Sequence, residues 1–86
     1  MNKIIITLLN DERDMAIDLE IEKDQILEEC ITDIVETLAN FDYSLSFQRD
    51  RVRLFSERLC EQLDEKMSVE DAGIWNGDYI YLLEVK

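Results

Sequence analysis

The sequence predicts an α+β domain in which one main helix packs across a mixed sheet of four to five strands. Three observations carry this. Residues 15–22 alternate strictly, with Met15, Ile17, Leu19 and Ile21 set against Ala16, Asp18, Glu20 and Glu22. That is the pattern of a strand with one solvated face. Apolar residues then recur at spacings of three and four from Ile26 to Leu38, the period of an amphipathic helix. Finally, Asn76-Gly77 forms a turn signal, because this pair is favoured where the backbone takes positive φ, and it leads into the apolar run Tyr79–Leu83.

Taken in order, residues 3–9 are rich in isoleucine, leucine and threonine and read as the first strand. Ile4, Ile6 and Leu8 face inward, because Lys3 and Thr7 then face water together with Ile5. Residues 10–14 make a turn, and 15–22 return as the second arm of a hairpin. The helix follows, with Asp24 as its N-cap and Glu28 and Glu29 at the positive end of its dipole. Its buried stripe is Ile26, Leu27, Cys30, Ile31, Ile34, Val35 and Leu38, and it ends near Asn40 or Phe41. Cys30 lies in that stripe and reads as a small core residue. Residues 41–48 are a loop with apolar anchors. Arg51 to Phe55 alternate as a third strand with Val52 and Leu54 inward. The charged stretch 57–66 is pinned by Leu59 and Leu63, as a short fourth strand or a turn. Ser68 caps a helical turn with Asp71 at its third position. The last strand turns Ile80 and Leu82 to the core, with Val85 as a further candidate, and turns Tyr79, Tyr81 and Leu83 outward.

Composition narrows the function. Eighty-six residues make one domain, spanning 1–86. A chain this short buries roughly 60% of its unfolded surface, which leaves little room for a deep cleft. At 47% hydrophobic residues it is too apolar for intrinsic disorder, and with no proline and two glycines it shows no linker. The net charge of −12 opposes binding to nucleic acid and to anionic membrane, so a partner met electrostatically should be basic. No stretch approaches the ~20 apolar residues of a membrane span, and no signal peptide is visible. A cytosolic protein with reduced thiols is expected.

Catalysis and metal binding are not expected. Cys30 and Cys60 form no CxxC pair and the chain has no histidine, which argues against zinc. Arg58, two residues from Cys60, would favour a thiolate, but no base accompanies it. Asp11, Glu12 and Asp14 lack the glycine of a calcium loop. The acid pairs Glu28-Glu29 and Asp64-Glu65 read as solvated surface. No phosphate-cradling glycine loop and no cofactor motif is present.

The order strand, strand, helix, strand, short strand, strand, over nearly the whole chain, resembles the ubiquitin-like β-grasp. Leu19-Glu20-Ile21, Arg53-Leu54-Phe55 and the passage from Met67 through Ile74 to Ile80–Leu83 carry the resemblance. The length, the stop after the last strand and the segment Asp71-Ala72-Gly73-Ile74-Trp75-Asn76-Gly77-Asp78 further resemble the bacterial YukD/EsaB-like proteins of type VIIb secretion systems. The sequence departs from them in a longer 41–50 loop, a longer 57–66 segment and stronger acidity. With no Gly-Gly tail after Lys86, the resemblance implies a non-conjugating accessory protein that docks to cytosolic domains of the secretion machinery, such as an ATPase or a pseudokinase-like membrane subunit. It would be cytoplasmic, reach the membrane only through that partner, and exist as a monomer or weak dimer. An adaptor of another cytosolic complex and a self-associating structural protein are the alternatives.

In such a sheet the third and last strands are neighbours. Parity turns Arg49, Arg51, Arg53 and Phe55 outward, and Arg51, Arg53 and Phe55 then sit beside Tyr79, Tyr81 and Leu83, with Ile5 on the next strand. Ubiquitin uses this face for recognition, with an apolar residue where Arg53 stands. Arg51, Arg53, Phe55, Tyr79, Tyr81, Leu83 and Ile5 are the candidate protein-binding residues, since tyrosine and arginine commonly dominate interface energetics. The same residues also read as ordinary strand formers and as arginines that neutralise neighbouring acids.

Overall fold

The computed structural model describes residues 2–86. Its strands are β1 (Lys3–Asn10), β2 (Met15–Glu22), β3 (Val52–Ser56), β4 (Glu61–Gln62) and β5 (Tyr79–Glu84), and the helix is α1 (Leu27–Phe41). They form a five-stranded sheet in the order β2-β1-β5-β3-β4. β1 and β5 run parallel and the other pairs are antiparallel, so the sheet is mixed. The α+β architecture with one helix on a sheet is the one the sequence predicts.

Strand alternation places Ile4, Ile6 and Leu8 of β1, Val52 and Leu54 of β3, and Ile80 and Leu82 of β5 on one face. These residues form one core with Leu27, Cys30, Ile31, Ile34 and Leu38 of α1. Val85 does not join it. It has the parity of Tyr79, Tyr81 and Leu83, lies just past β5 and is exposed. Its N–H nevertheless donates to the Arg51 carbonyl at 2.7 Å, tying the chain to the start of β3.

The helix begins differently from the expectation. Asp24 is not its N-cap; Ile26 occupies that position and offers no side-chain acceptor. The first helical N–H groups lack partners inside any helix and need acceptors from elsewhere. Here the Leu27 and Glu28 N–H groups donate to the carbonyls of Met67 and Glu65, at 2.8 and 2.9 Å. A backbone segment distant in sequence caps the helix, which no local pattern could reveal. Ile26 is consequently half out of the stripe and exposed.

The loop after α1 contains two short 3-10 turns, Tyr43–Leu45 and Arg49–Arg51. Leu45 and Phe47 are its buried anchors, while Phe41 and Tyr43 are exposed. Arg13, from the β1–β2 turn, holds this loop. One guanidinium nitrogen donates to the carbonyls of Ser44 and Ser46, and the other to the Glu84 carboxylate. The guanidinium also lies 4.3 Å from the Phe47 ring centroid. Its backbone N–H donates to Asn10 Oδ1, and the buried Asn10 amide in turn donates to the Leu82 carbonyl.

Cys30 is buried against the sheet. Burial, followed by the nearby Asp33 charge, pushes its thiol up to about 11. Cys60 is exposed in the turn before β4, at a left-handed φ of 55°.

Arg13→Ala removes several charge-assisted bonds and should cost about 2 kcal/mol, lowering the melting midpoint by about 10 °C in a thermal scan. Under native conditions a thiol reagent should label Cys60 alone, and both cysteines after denaturation. Because the folded-state Cys30 value is raised, stability is full below the unfolded thiol value and falls as pH rises from about 9 toward 11.

Candidate protein-binding face

The sheet face opposite α1 is built by register. Arg53 stands opposite Leu83 and Phe55 opposite Tyr81 across β3–β5. Across β1–β5, Tyr79 stands beside Thr7 and Tyr81 beside Leu9. Directly paired residues point to the same side of a sheet. Leu9, Tyr81 and Phe55 therefore form a row across three strands, each half-buried, and Arg53 and Leu83 make the next row. Tyr79, Leu83 and Ile5 are more open, at 53%, 45% and 50% exposure.

Six of the seven expected residues thus share this face: Ile5, Arg53, Phe55, Tyr79, Tyr81 and Leu83. Arg51 is not part of the ladder, because β3 begins at Val52 and Arg51 closes the preceding 3-10 turn, where it is exposed at the rim. Arg49, assigned to the same parity, is a correction. It belongs to the turn, and its guanidinium reaches toward the helix, donating to the Glu28 carbonyl, Thr32 Oγ1 and Glu65. Strand parity does not extend into a 3-10 turn, whose period is three. Arg53 folds back, donating from Nη1 to the carbonyls of Val52 and Asp50 at 2.8 and 3.1 Å. Its remaining guanidinium donors have no such partner among the described residues.

Leu9 and Thr7 complete the face and were not singled out beforehand, although Leu9 shares the parity of Ile5. Thr7 donates its hydroxyl to Asp18 at 2.7 Å, which closes the β2 side of the face with a polar pair. At the end near the β1–β2 turn, Tyr81 and Leu83 adjoin Asp11, Glu12 and Glu84 around a shallow depression of about 340 Å³. The face therefore has an apolar and aromatic centre, arginines at the β3 rim and carboxylates at the turn rim.

The base of this face is locked by a second arginine cluster. Asp78 is buried just before β5. Arg58 donates to both its carboxylate oxygens, at 3.0 and 3.1 Å, and to the Gly73 carbonyl. The Trp75 N–H donates to the same carboxylate at 2.9 Å, and the Arg58 guanidinium stacks 3.6 Å from the Trp75 ring. Arg58 is thus committed to this latch, while the exposed Cys60 thiol donates to the Glu57 carbonyl. Gly77, at φ 87°, allows the turn to close, and its N–H donates to the Ile5 carbonyl while Asn76 Oδ1 accepts from the Ile5 N–H. Burial pushes the Asp78 carboxyl up, but the hydrogen bonds from Arg58 and the Trp75 N–H and the Arg58 charge together outweigh it, leaving the carboxyl below its ordinary value.

Among the described residues, no group of three or more carboxylates and thiols is placed to hold a metal ion. No helix among them is long and apolar enough to cross a membrane.

With this geometry in view, the comparisons with known proteins concern the fold. No protein-family profile matches the sequence, and no curated protein matches it. Solved structures do. The N-terminal ubiquitin-like domain of the 4931431F19Rik protein superposes with a TM-score of 0.76 at 12% identity, over 99% of this chain and 77% of that one. The ubiquitin-like domain of the Arabidopsis thaliana protein At2g32350 gives 0.73 at 14% identity, over 98% and 79%. A de novo design based on ubiquitin gives 0.72 at 14%, over 96% and 89%. The fold is a ubiquitin-like β-grasp.

The lowered Asp78 value gives a signed prediction. Its contribution is fully present above the unfolded carboxylate value near 4 and is lost as pH falls through the lower folded value. Asp78→Asn should destabilise the protein by about 1–2 kcal/mol at pH 7. It should also flatten the acid limb of a stability-versus-pH curve measured by urea unfolding.

Proposed function

We propose that this chain is a protein-interaction module whose outer sheet face docks to a partner by non-covalent contact. The observation that carries this is the row Leu9, Tyr81 and Phe55, continued by Leu83 and Arg53, on the sheet face opposite α1. Aromatic residues at the centre of a flat surface, with arginine beside them, are what a protein interface uses for affinity, while a polar rim supplies orientation. The ubiquitin-like fold is generally a scaffold for binding rather than chemistry, and the shallow surface here fits that use.

The partner we propose is a cytosolic domain of a type VII secretion system, with this chain as an accessory or regulatory subunit. Support comes from the likeness of the 71–78 segment to the YukD/EsaB-like proteins, and from the two-sided charge of the face. A partner carrying an acid near an apolar anchor would meet Arg53 and Arg51, and a base beyond it would meet Asp11 and Glu12. Location at the membrane would then be indirect, through that subunit.

Affinity capture from the native membrane fraction tests both levels, comparing wild type with an Arg53→Glu/Tyr81→Ala double variant whose folding is confirmed by circular dichroism. Wild type should retain a secretion ATPase or pseudokinase-like subunit, and the variant should retain at least about tenfold less, as expected when two central contacts of about 1–2 kcal/mol are lost. If the partner is a soluble complex instead, the secretion assignment is wrong and the adaptor reading replaces it. If the variant retains as much as wild type, the face itself is wrong.

A further inference from the structure

We infer a second docking site, on the open edge of β2, for an extended peptide segment in which basic and β-branched residues alternate. β2 is the outermost strand and, among the described residues, pairs only with β1. The Lys23 N–H donates to the Asn2 carbonyl at 2.6 Å, directly beyond the last pair of the ladder. Closely bonded and open pairs alternate in an antiparallel ladder. The odd-numbered residues of β2 therefore spend their backbone groups on β1, and Ala16, Asp18, Glu20 and Glu22 present theirs to the open edge.

The inner side of that edge is unfinished. Ile17 and Leu19 point toward the core side but are only half-buried, whereas their β1 neighbours Leu8 and Ile6 are fully buried. The apolar surface continues into a groove of about 290 Å³ between β2 and α1, floored by Leu19, Ile21 and Ile34. Asp33 of α1 lies at the groove's side, while Glu20 and Glu22 reach its rim from the outer side of β2, where Lys3 is already paired with Glu20 at 3.3 Å.

These features specify one occupant. A strand added to β2 gains main-chain hydrogen bonds from the even-numbered residues. Alternate side chains of that strand then fall either against Ile17, Leu19 and the groove, or beside Asp18 and Glu20 on the outer side. The first set must be apolar and the second basic. The same carboxylates repel a second copy of β2, so the edge is closed to its own kind and open to a basic strand. The site is on the opposite side of β1 from β3, and it does not depend on the outer-face reading.

The test uses the full chain and three blocked heptapeptides: Lys-Val-Lys-Ile-Lys-Val-Lys, the scrambled Lys-Lys-Val-Ile-Val-Lys-Lys, and Glu-Val-Glu-Ile-Glu-Val-Glu. Amide hydrogen exchange is read residue by residue by NMR. The alternating basic peptide should slow exchange at Asp18, Glu20 and Glu22 by about tenfold or more, and the other two should not. Asp18→Lys/Glu20→Lys should reverse the preference toward the acidic peptide, while Arg53→Glu/Tyr81→Ala should leave it unchanged. Equal effects from the scrambled peptide would mean charge attraction alone and would overturn the site. So would peptide-induced changes confined to the outer face, or even-numbered amides already protected without peptide in a sample that sediments as a dimer.

Discussion

The structure depends on β5 sitting between β1 and β3. It pairs in parallel with one and antiparallel with the other, although these two strands come far earlier in sequence. Ile80 and Leu82, both fully buried, complete the core beneath α1, and the opposite side chains of the same strand form the centre of the outer face. A slip of one residue would exchange these two sets. Core and outer face therefore share one register, and whatever fixes the register serves both.

That register is set at the turn before β5. Asn76 accepts from the Ile5 N–H, Gly77 donates to the Ile5 carbonyl, and the Asp78 carbonyl accepts from the Thr7 N–H. The Asp78 carboxylate gathers Arg58 and the Trp75 N–H at the same point. The other end of the strand is held by Arg13, which joins Glu84 to the 44–46 backbone. Arg49 does comparable work on the helix side, joining α1 to Glu65. In a chain with 21 carboxylates and nine cations, three of the five arginines are used to tie loops to the sheet. An arginine can do this because its fork of donors serves two or three backbone carbonyls and a carboxylate at once. The remaining two, Arg51 and Arg53, are the ones placed at the rim of the face.

The sheet's two edges are treated differently. β4 is two residues long and gives little template for pairing. β2 is eight residues long, carries carboxylates along one side and leaves Ile17 and Leu19 half-covered on the other. Length and partial burial make it an edge with a use, and its charge restricts what can use it.

Much of the fold was legible in local patterns. Period-two alternation in β2, β3 and β5 and the three-four spacing in α1 named the buried residues, because burial on one face imposes a period on the sequence itself. The outer face was legible in part for the same reason: parity turned Phe55, Tyr79, Tyr81 and Leu83 outward, and the likeness to the β-grasp made β3 and β5 neighbours. Parity failed where the chain left the strand, so Arg49 and Arg51 were placed on a ladder that begins only at Val52. The N-cap at Asp24 failed because the helix start is satisfied by carbonyls of Met67 and Glu65, about forty residues away in the chain. The arginine clusters were invisible for a like reason, since nothing local to Arg13 or Arg58 indicates Phe47, Glu84, Trp75 or Asp78. The sequence by itself determined which residues are inside, which face is apolar and aromatic, and how strongly acidic the whole must be, because each is written in spacing or composition. Only the tertiary structure decided which arginines are spent on loops and which remain on the face, and which strand is left open at the edge, because those outcomes depend on groups brought together across the chain.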